Sequence, residues 1–257
     1  RQGTYRPSSS GNRAATFQLK DGVTVEGGFA GSDASNPDAR SVADYPAILS
    51  GDIGTPGNNA DNSYHVVTGS TTNSTAVLDG FSIVGGNADA SGDSNSGNGA
   101  GILNISGSPT LNNCSFIGNT ASNAGGAMYN HESASPTLTN CVISGNTASF
   151  GGGIEDIASS PILTNCIISA NSASSGGGIA NYNSSPSLDN CTFSGNSASI
   201  GGGIFDFSSS PVITNSIFWS DSSGSEIYND SNSTSAVTYS DVEQNGFSGA
   251  GDINADP

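Results

Sequence analysis

Written out in rows of 25, residues 109–216 fall into apolar columns separated by polar positions. One column holds Leu111, Leu138, Leu163, Leu188 and Ile213. Three residues on come Cys114, Cys141, Cys166 and Cys191, with Ser216 closing the set, and two further on Phe116, Ile143, Ile168, Phe193 and Phe218. A last column is Ile102, Met128, Ile154, Ile179 and Ile204. The prolines opening each row stand at 109, 136, 161, 186 and 211, steps of 27, 25, 25 and 25. A fixed period of this size means stacked, equivalent units. Within a unit the apolar spacing is mostly two with breaks, which predicts short strands joined by turns.

Two stacked architectures use such a pattern. The run Leu163-x-x-Cys166-x-Ile168-x-x-Asn171 fits a leucine-rich repeat, whose other half is a helical segment. Here that half is Ser-Ala-Ser-Ser-Gly-Gly-Gly-Ile, and each glycine costs a helix about 1 kcal/mol. The second half is therefore another strand, and each unit is one coil of a parallel β-helix. The six-residue repeats of a left-handed form are absent, so the expectation is a single-stranded right-handed β-helix. At ~25 residues per coil the chain holds about ten coils.

Coils stacked about 4.8 Å apart place like residue over like. Asn113, Asn140, Asn165, Asn190 and Asn215 form one predicted ladder, and Asn119, Asn146, Asn171 and Asn196 a second. Asparagine tolerates left-handed backbone angles at corners, and its amide bonds to those above and below. The triplets beginning at Gly151, Gly176 and Gly201 mark tight corners or close backbone approach. No lysine or helix follows them, so they are no phosphate cradle.

Gly125-Gly126-Ala127-Met128, three copies of Gly-Gly-Gly-Ile, Phe116-Ile117-Gly118-Asn119 and Phe193-Ser194-Gly195-Asn196 resemble the Gly-Gly-Ala-Ile and Phe-x-x-Asn repeats of the polymorphic outer-membrane proteins. Those are bacterial surface adhesins with a right-handed β-helix. The likeness covers about residues 99–230. It implies an extracellular or cell-surface adhesive role, although one fold hosts many functions. Alternate copies here carry Ile in place of Phe, and no autotransporter barrel is present in the chain.

Composition changes the picture in three ways. Apolar residues are only 33% of 257, which with a net charge of −17 would suggest disorder, but disordered segments have no need of aligned columns. A tube needs only its inward positions apolar. Twenty-two acidic against five basic residues argue against nucleic acid as a partner, since phosphate binding uses clustered Lys and Arg. No apolar run reaches the 18 residues of a membrane span. The four cysteines share one inward column, where parallel side chains make disulfide geometry poor. They are read as free, buried thiols, and no zinc spacing is present.

The whole chain, 1–257, is read as one domain: irregular opening coils with loop insertions over 1–98, regular repeats over 99–230 and closing coils over 231–257. Lys20-Asp21-Gly22 turns between two opening strands, and a polar insertion, Ser32 to Pro46, is expected to cover the first open edge. All five basic residues, Arg1, Arg6, Arg13, Lys20 and Arg40, lie here, as solvated loop charges or as a basic end that meets an acidic neighbour. Between Asn87 and Asn98, Asp89, Asp93 and Asn95 supply oxygen ligands at short spacing, so weak calcium binding is weighed against a plain loop.

One arrangement invites an enzymatic reading. Two residues after the last-column Ile stand Asn104, Asn130, Asp156, Asn181, Asp206 and Asn229. Asp156 and Asp206 are thus two coils apart, about 9.6 Å, near the upper limit for an inverting glycosidase. Glu155 is adjacent but alternates to the other face. Against this, Asp replaces Asn readily in corners. The sequence is read as a non-catalytic structural or adhesive stalk without cofactor, with two roles open to it: subunit of an end-to-end fibre, or binder of a cell-surface or glycan ligand. The alternatives are a polysaccharide-processing enzyme and a carbohydrate-binding module.

Overall fold

The computed structural model describes residues 1–90, 95–221, 225–244 and 250–253. The chain winds as a parallel β-helix. Its strands form three long sheets, one of nine strands and two of eight, running from Gly3–Tyr5, Phe17–Gln18 and Thr24–Glu26 at one end to Ile227–Asn229, Ala236–Thr238 and Asp241–Val242 at the other. Every strand pairing in them is parallel, and the register lays equivalent residues over one another, as in Leu111↔Leu138, Phe116↔Ile143 and Met128↔Ile154. Among the described residues the only helix is one 3₁₀ turn, Asn59–Asp61.

The strand counts give eight turns and part of a ninth, fewer than the ten expected. Two excursions explain the difference, because residues 28–46 and 52–62 leave the wall and return without adding a rung. The first does not close the open edge as expected. It folds back on itself through Phe29↔Arg40 and is held on the side of the tube by Arg40, whose guanidinium meets Asp79 at 2.8 Å.

The interior is one continuous apolar column. The Leu, Cys, Phe/Ile and Ile positions of the regular coils all belong to it, and Phe193 stacks on Phe218 with ring centres 4.3 Å apart. The four cysteines are free and buried. Their thiols donate to carbonyls of the preceding coil, those of Leu78, Leu111, Leu138 and Leu163. Ser216 takes over the column by bonding Thr214 O at 2.7 Å.

Corners are set by backbone chemistry. Asn113, Asn140, Asn165, Asn190 and Asn215 all have φ between 51° and 55°, the left-handed region that asparagine enters at low cost. Asn140, Asn165 and Asn190 each donate an amide hydrogen to the asparagine one coil before, at 3.3, 3.1 and 2.7 Å. Asn215 departs and bonds Asp189 instead. The glycine triplets sit where coils touch, since a Cβ on Gly177 would lie 2.5 Å from Gly202 O.

Candidate functional sites

Three places hold chemistry: the inside of the tube, one outer face and the two ends.

Inside, Asn119, Asn146, Asn171 and Asn196 form a sealed ladder. Each Oδ1 from Asn146 onward accepts both the backbone N–H and the amide of the asparagine before it, as Asn171 does from Asn146 at 3.0 and 2.9 Å. Each Nδ2 also reaches a strand carbonyl, Ile83, Phe116, Ile143 or Ile168. Asp221 ends the ladder by accepting both Asn196 donors. Glu226 packs against it and accepts Asp221 N at 3.1 Å, and burial, then the side-chain hydrogen bond with the Asp221 carboxyl, pushes Glu226 up to about 9.

A second inward row contains the suspected catalytic pair. Asn104 donates to Asn130, Asn130 to Asp156, and Asn181 to Asp206, each at 2.8 Å. Asp156 and Asp206 have no solvent exposure. Burial pushes Asp156 up to about 8 and Asp206 up to about 6. Neither carboxyl faces a cleft, because both continue an asparagine row inside the wall.

Glu155 does alternate to the outer face, yet it is only 3% exposed. Tyr129 and Ala180 are its register neighbours, and burial, then the charge of Asp156, pushes it up to about 8. Burial and then the Glu155 charge hold the Tyr129 and Tyr182 hydroxyls up at about 12, which places both beside it.

These residues belong to an outer aromatic row that the sequence reading missed. Phe150 meets Tyr182 edge-on at 6.2 Å, Tyr182 meets Phe205 and Phe207 at 5.6 and 5.8 Å, and Phe205 stacks on Tyr228 at 5.4 Å. The signal was available: one and three residues after each last-column Ile, period two points outward. The rings spend their faces on one another and so cover Ala180.

At the ends, Arg13 meets Asp89 at 2.6 Å and stacks over Tyr64, with its guanidinium 4.2 Å from the ring centre. The carboxylate proposed for calcium is therefore already paired with a cation. Asp93 lies outside the described residues, and the backbone carbonyl of Asn95 accepts Asn98 N–H at 2.8 Å. No group of three or more His, Cys, Asp or Glu side chains converges to hold a metal among the described residues. No described helix is long and apolar enough to cross a membrane. At the first rung the core opens outward as a cavity of about 470 Å³ lined by Tyr5, Phe17, Leu19, Val25, Leu49 and Phe81 among others.

The geometry defines a class: a parallel β-helical solenoid with buried asparagine ladders in its wall and an apolar cavity at its first rung. The chain belongs to the family described as right handed beta helix region, whose model matches residues 98–256. That assignment gives the coil its expected hand. No curated protein and no solved structure matches it.

Proposed function

We propose that the chain is a non-catalytic, extracellular structural and adhesive element, a rigid stalk whose copies stack end on end. The observation that carries this reading is the open mouth. Among the described residues no strand pairs with the outer edges of Gly3–Tyr5, Phe17–Gln18 and Thr24–Glu26, and the apolar core is accessible between them. Unpaired edges of this kind template further pairing. Charge along the chain supports the far end of a second copy as occupant: all five basic residues lie within the first 40, with Arg1 lining the mouth and Arg13 and Arg40 already paired with Asp89 and Asp79, whereas the last coil carries Asp230, Asp241, Glu243 and Asp252. The burial of Asp156 and Asp206 counts against a hydrolase built on that pair. Placement outside the cell rests on the acidic, Gly/Ser/Asn-rich composition and the resemblance to surface adhesins.

Sedimentation velocity over a concentration series tests the proposal. Linear oligomers should grow with concentration and dissociate at about 0.5 M salt, where the Debye length falls to a few ångströms. Val25→Lys, which adds a charge to the open edge, should abolish them. A monomer at every concentration and salt would remove the assembly reading.

A further inference from the structure

We infer that the loop 52–62 is a calcium site. Among the described residues, ten buried side-chain oxygens have no hydrogen-bond partner, and four of them fall within twelve consecutive residues: Asp52 Oδ1, Asp61 Oδ1, Asn62 Oδ1 and Ser63 Oγ. Buried acceptors without donors require an explanation, and a bound cation is one.

Asp52, Asp61 and Asn62 belong to one excursion of the chain, and Ser63 closes it. Residues 52–62 form an Ω-shaped excursion whose neck is tied by Ser63 N donating to Gly51 O at 2.8 Å. Asp52 and Asn62 flank that bond on either side. Both aspartates turn into the loop: Asp52 Oδ2 accepts Gly57 N at 3.4 Å, and Asp61 Oδ2 accepts Thr55 N at 2.9 Å and Asn58 Nδ2 at 3.0 Å. Gly54 leaves room for the Asp61 carboxylate, because a Cβ there would stand 2.5 Å from it. Asn62 is 3% exposed, and its Nδ2 is fixed on Gly85 O at 2.8 Å, beside the Asp52 backbone.

Among the described residues no cation pairs with either aspartate carboxylate. Arg6 and Arg13 reach the neck, but they donate to the carbonyls of Asp52 and Asn62, at 2.5 and 2.6 Å. Two carboxylates and an amide oxygen in an irregular loop, with carbonyls and water able to complete the shell, suit the hard, flexible oxygen coordination of calcium. No thiol or imidazole is present to favour zinc. The site is distinct from the loop of Asp89, whose carboxylate Arg13 neutralises.

Chelator-stripped full-length protein titrated with Ca²⁺, followed by calorimetry and by amide chemical shifts, decides the matter. The expected result is one site per chain in the sub-millimolar to millimolar range of extracellular modules, with shifts concentrated at Gly54–Ser63. The Asp52→Asn/Asp61→Asn variant should lose the heat, and Asp89→Asn should keep it. Absence of heat and shifts at about 10 mM, ten times that range, would show that water alone satisfies these oxygens and overturn the site. So would shifts confined to residues 87–98, equal binding by the double variant, or binding of Mg²⁺ in preference to Ca²⁺. If the double variant fails to fold, the wild-type shift map alone decides.

Discussion

Asp156 shows how one residue breaks a row and sets a pH response. Asn130 donates to its Oδ1, but its register neighbour Asn181 already donates onward to Asp206. Asp156 Oδ2 and Asn181 Oδ1 are both left as buried acceptors without a donor. A proton on Asp156 supplies the missing donor, consistent with burial holding the group up at about 8. A carboxyl raised above its unfolded value binds more protons folded than unfolded. Its stabilisation is full below about pH 4 and is lost as pH rises through about 8. Asp156→Asn provides the amide directly, so the variant should gain nothing near pH 4 and a few kcal/mol at pH 9, read from urea unfolding at both values. Loss of stability at pH 9 would contradict the missing-donor account. At the exposed corner the expectation has the opposite sign for a different reason. Asn165 has φ of 55°, so Asn165→Ala should cost about 1 kcal/mol of backbone strain while Asn165→Gly costs less.

A coil is a set of such positions, and its inner and outer ladders are unequal. Asn171 accepts two bonds from Asn146 and gives its own Nδ2 to Ile143 O and Asn196, all sealed from water. Asn171→Ala strands the Asn146 backbone N–H inside the wall and removes the amide bonds to its neighbours, and should cost about 3 kcal/mol, well beyond Asn165→Ala in the same unfolding assay. The thiol column offers a cheaper check. Burial pushes the Cys114 thiol up to about 12, and all four thiols are enclosed, so a thiol reagent should label none in native protein and all four in denaturant. Rapid native labelling would mean that the column faces solvent. The columns were legible because each repeats one residue type at one spacing. The left-handed asparagine corners were legible because few other side chains adopt that backbone. What escaped depends on neighbours in space. The outer row mixes Tyr, Glu, Ala, Phe and Tyr at equivalent positions, and no single letter marks it. Whether Asp156 points to a cleft or into the wall follows only from which edge of the corner is sealed. Asp52 and Asp61 stand at the two ends of a loop that doubles back on itself, which no repeat spacing announces.

Across the whole molecule these buried carboxyls act in one direction. Asp156 and Glu155 are held up at about 8, Glu226 at about 9 and Asp206 at about 6, each first by burial. Folding therefore takes up protons between about pH 4 and 9, and stability should fall as pH rises through that window. The net charge of −17 adds to the trend, since self-repulsion grows as the remaining carboxyls ionise. Exposed carboxylates oppose it only at the acid end. Side-chain hydrogen bonds from Asn215 and Thr214 hold Asp189 below its usual range, and Ser233 does the same for Asp230, so their contribution disappears as pH falls through those lowered values. A solenoid sums nearest-neighbour interfaces, so each weakened rung loosens the coils on either side of it. Thermal melts followed by circular dichroism from pH 3 to 9 should consequently show a maximum near pH 5 and a decline of many degrees towards pH 9, shallower in Asp156→Asn. A melting temperature that climbs from pH 5 to 8, the ordinary behaviour of a protein whose carboxylates are stabilised by folding, would mean that water or cations reach these groups and that the wall is not dry.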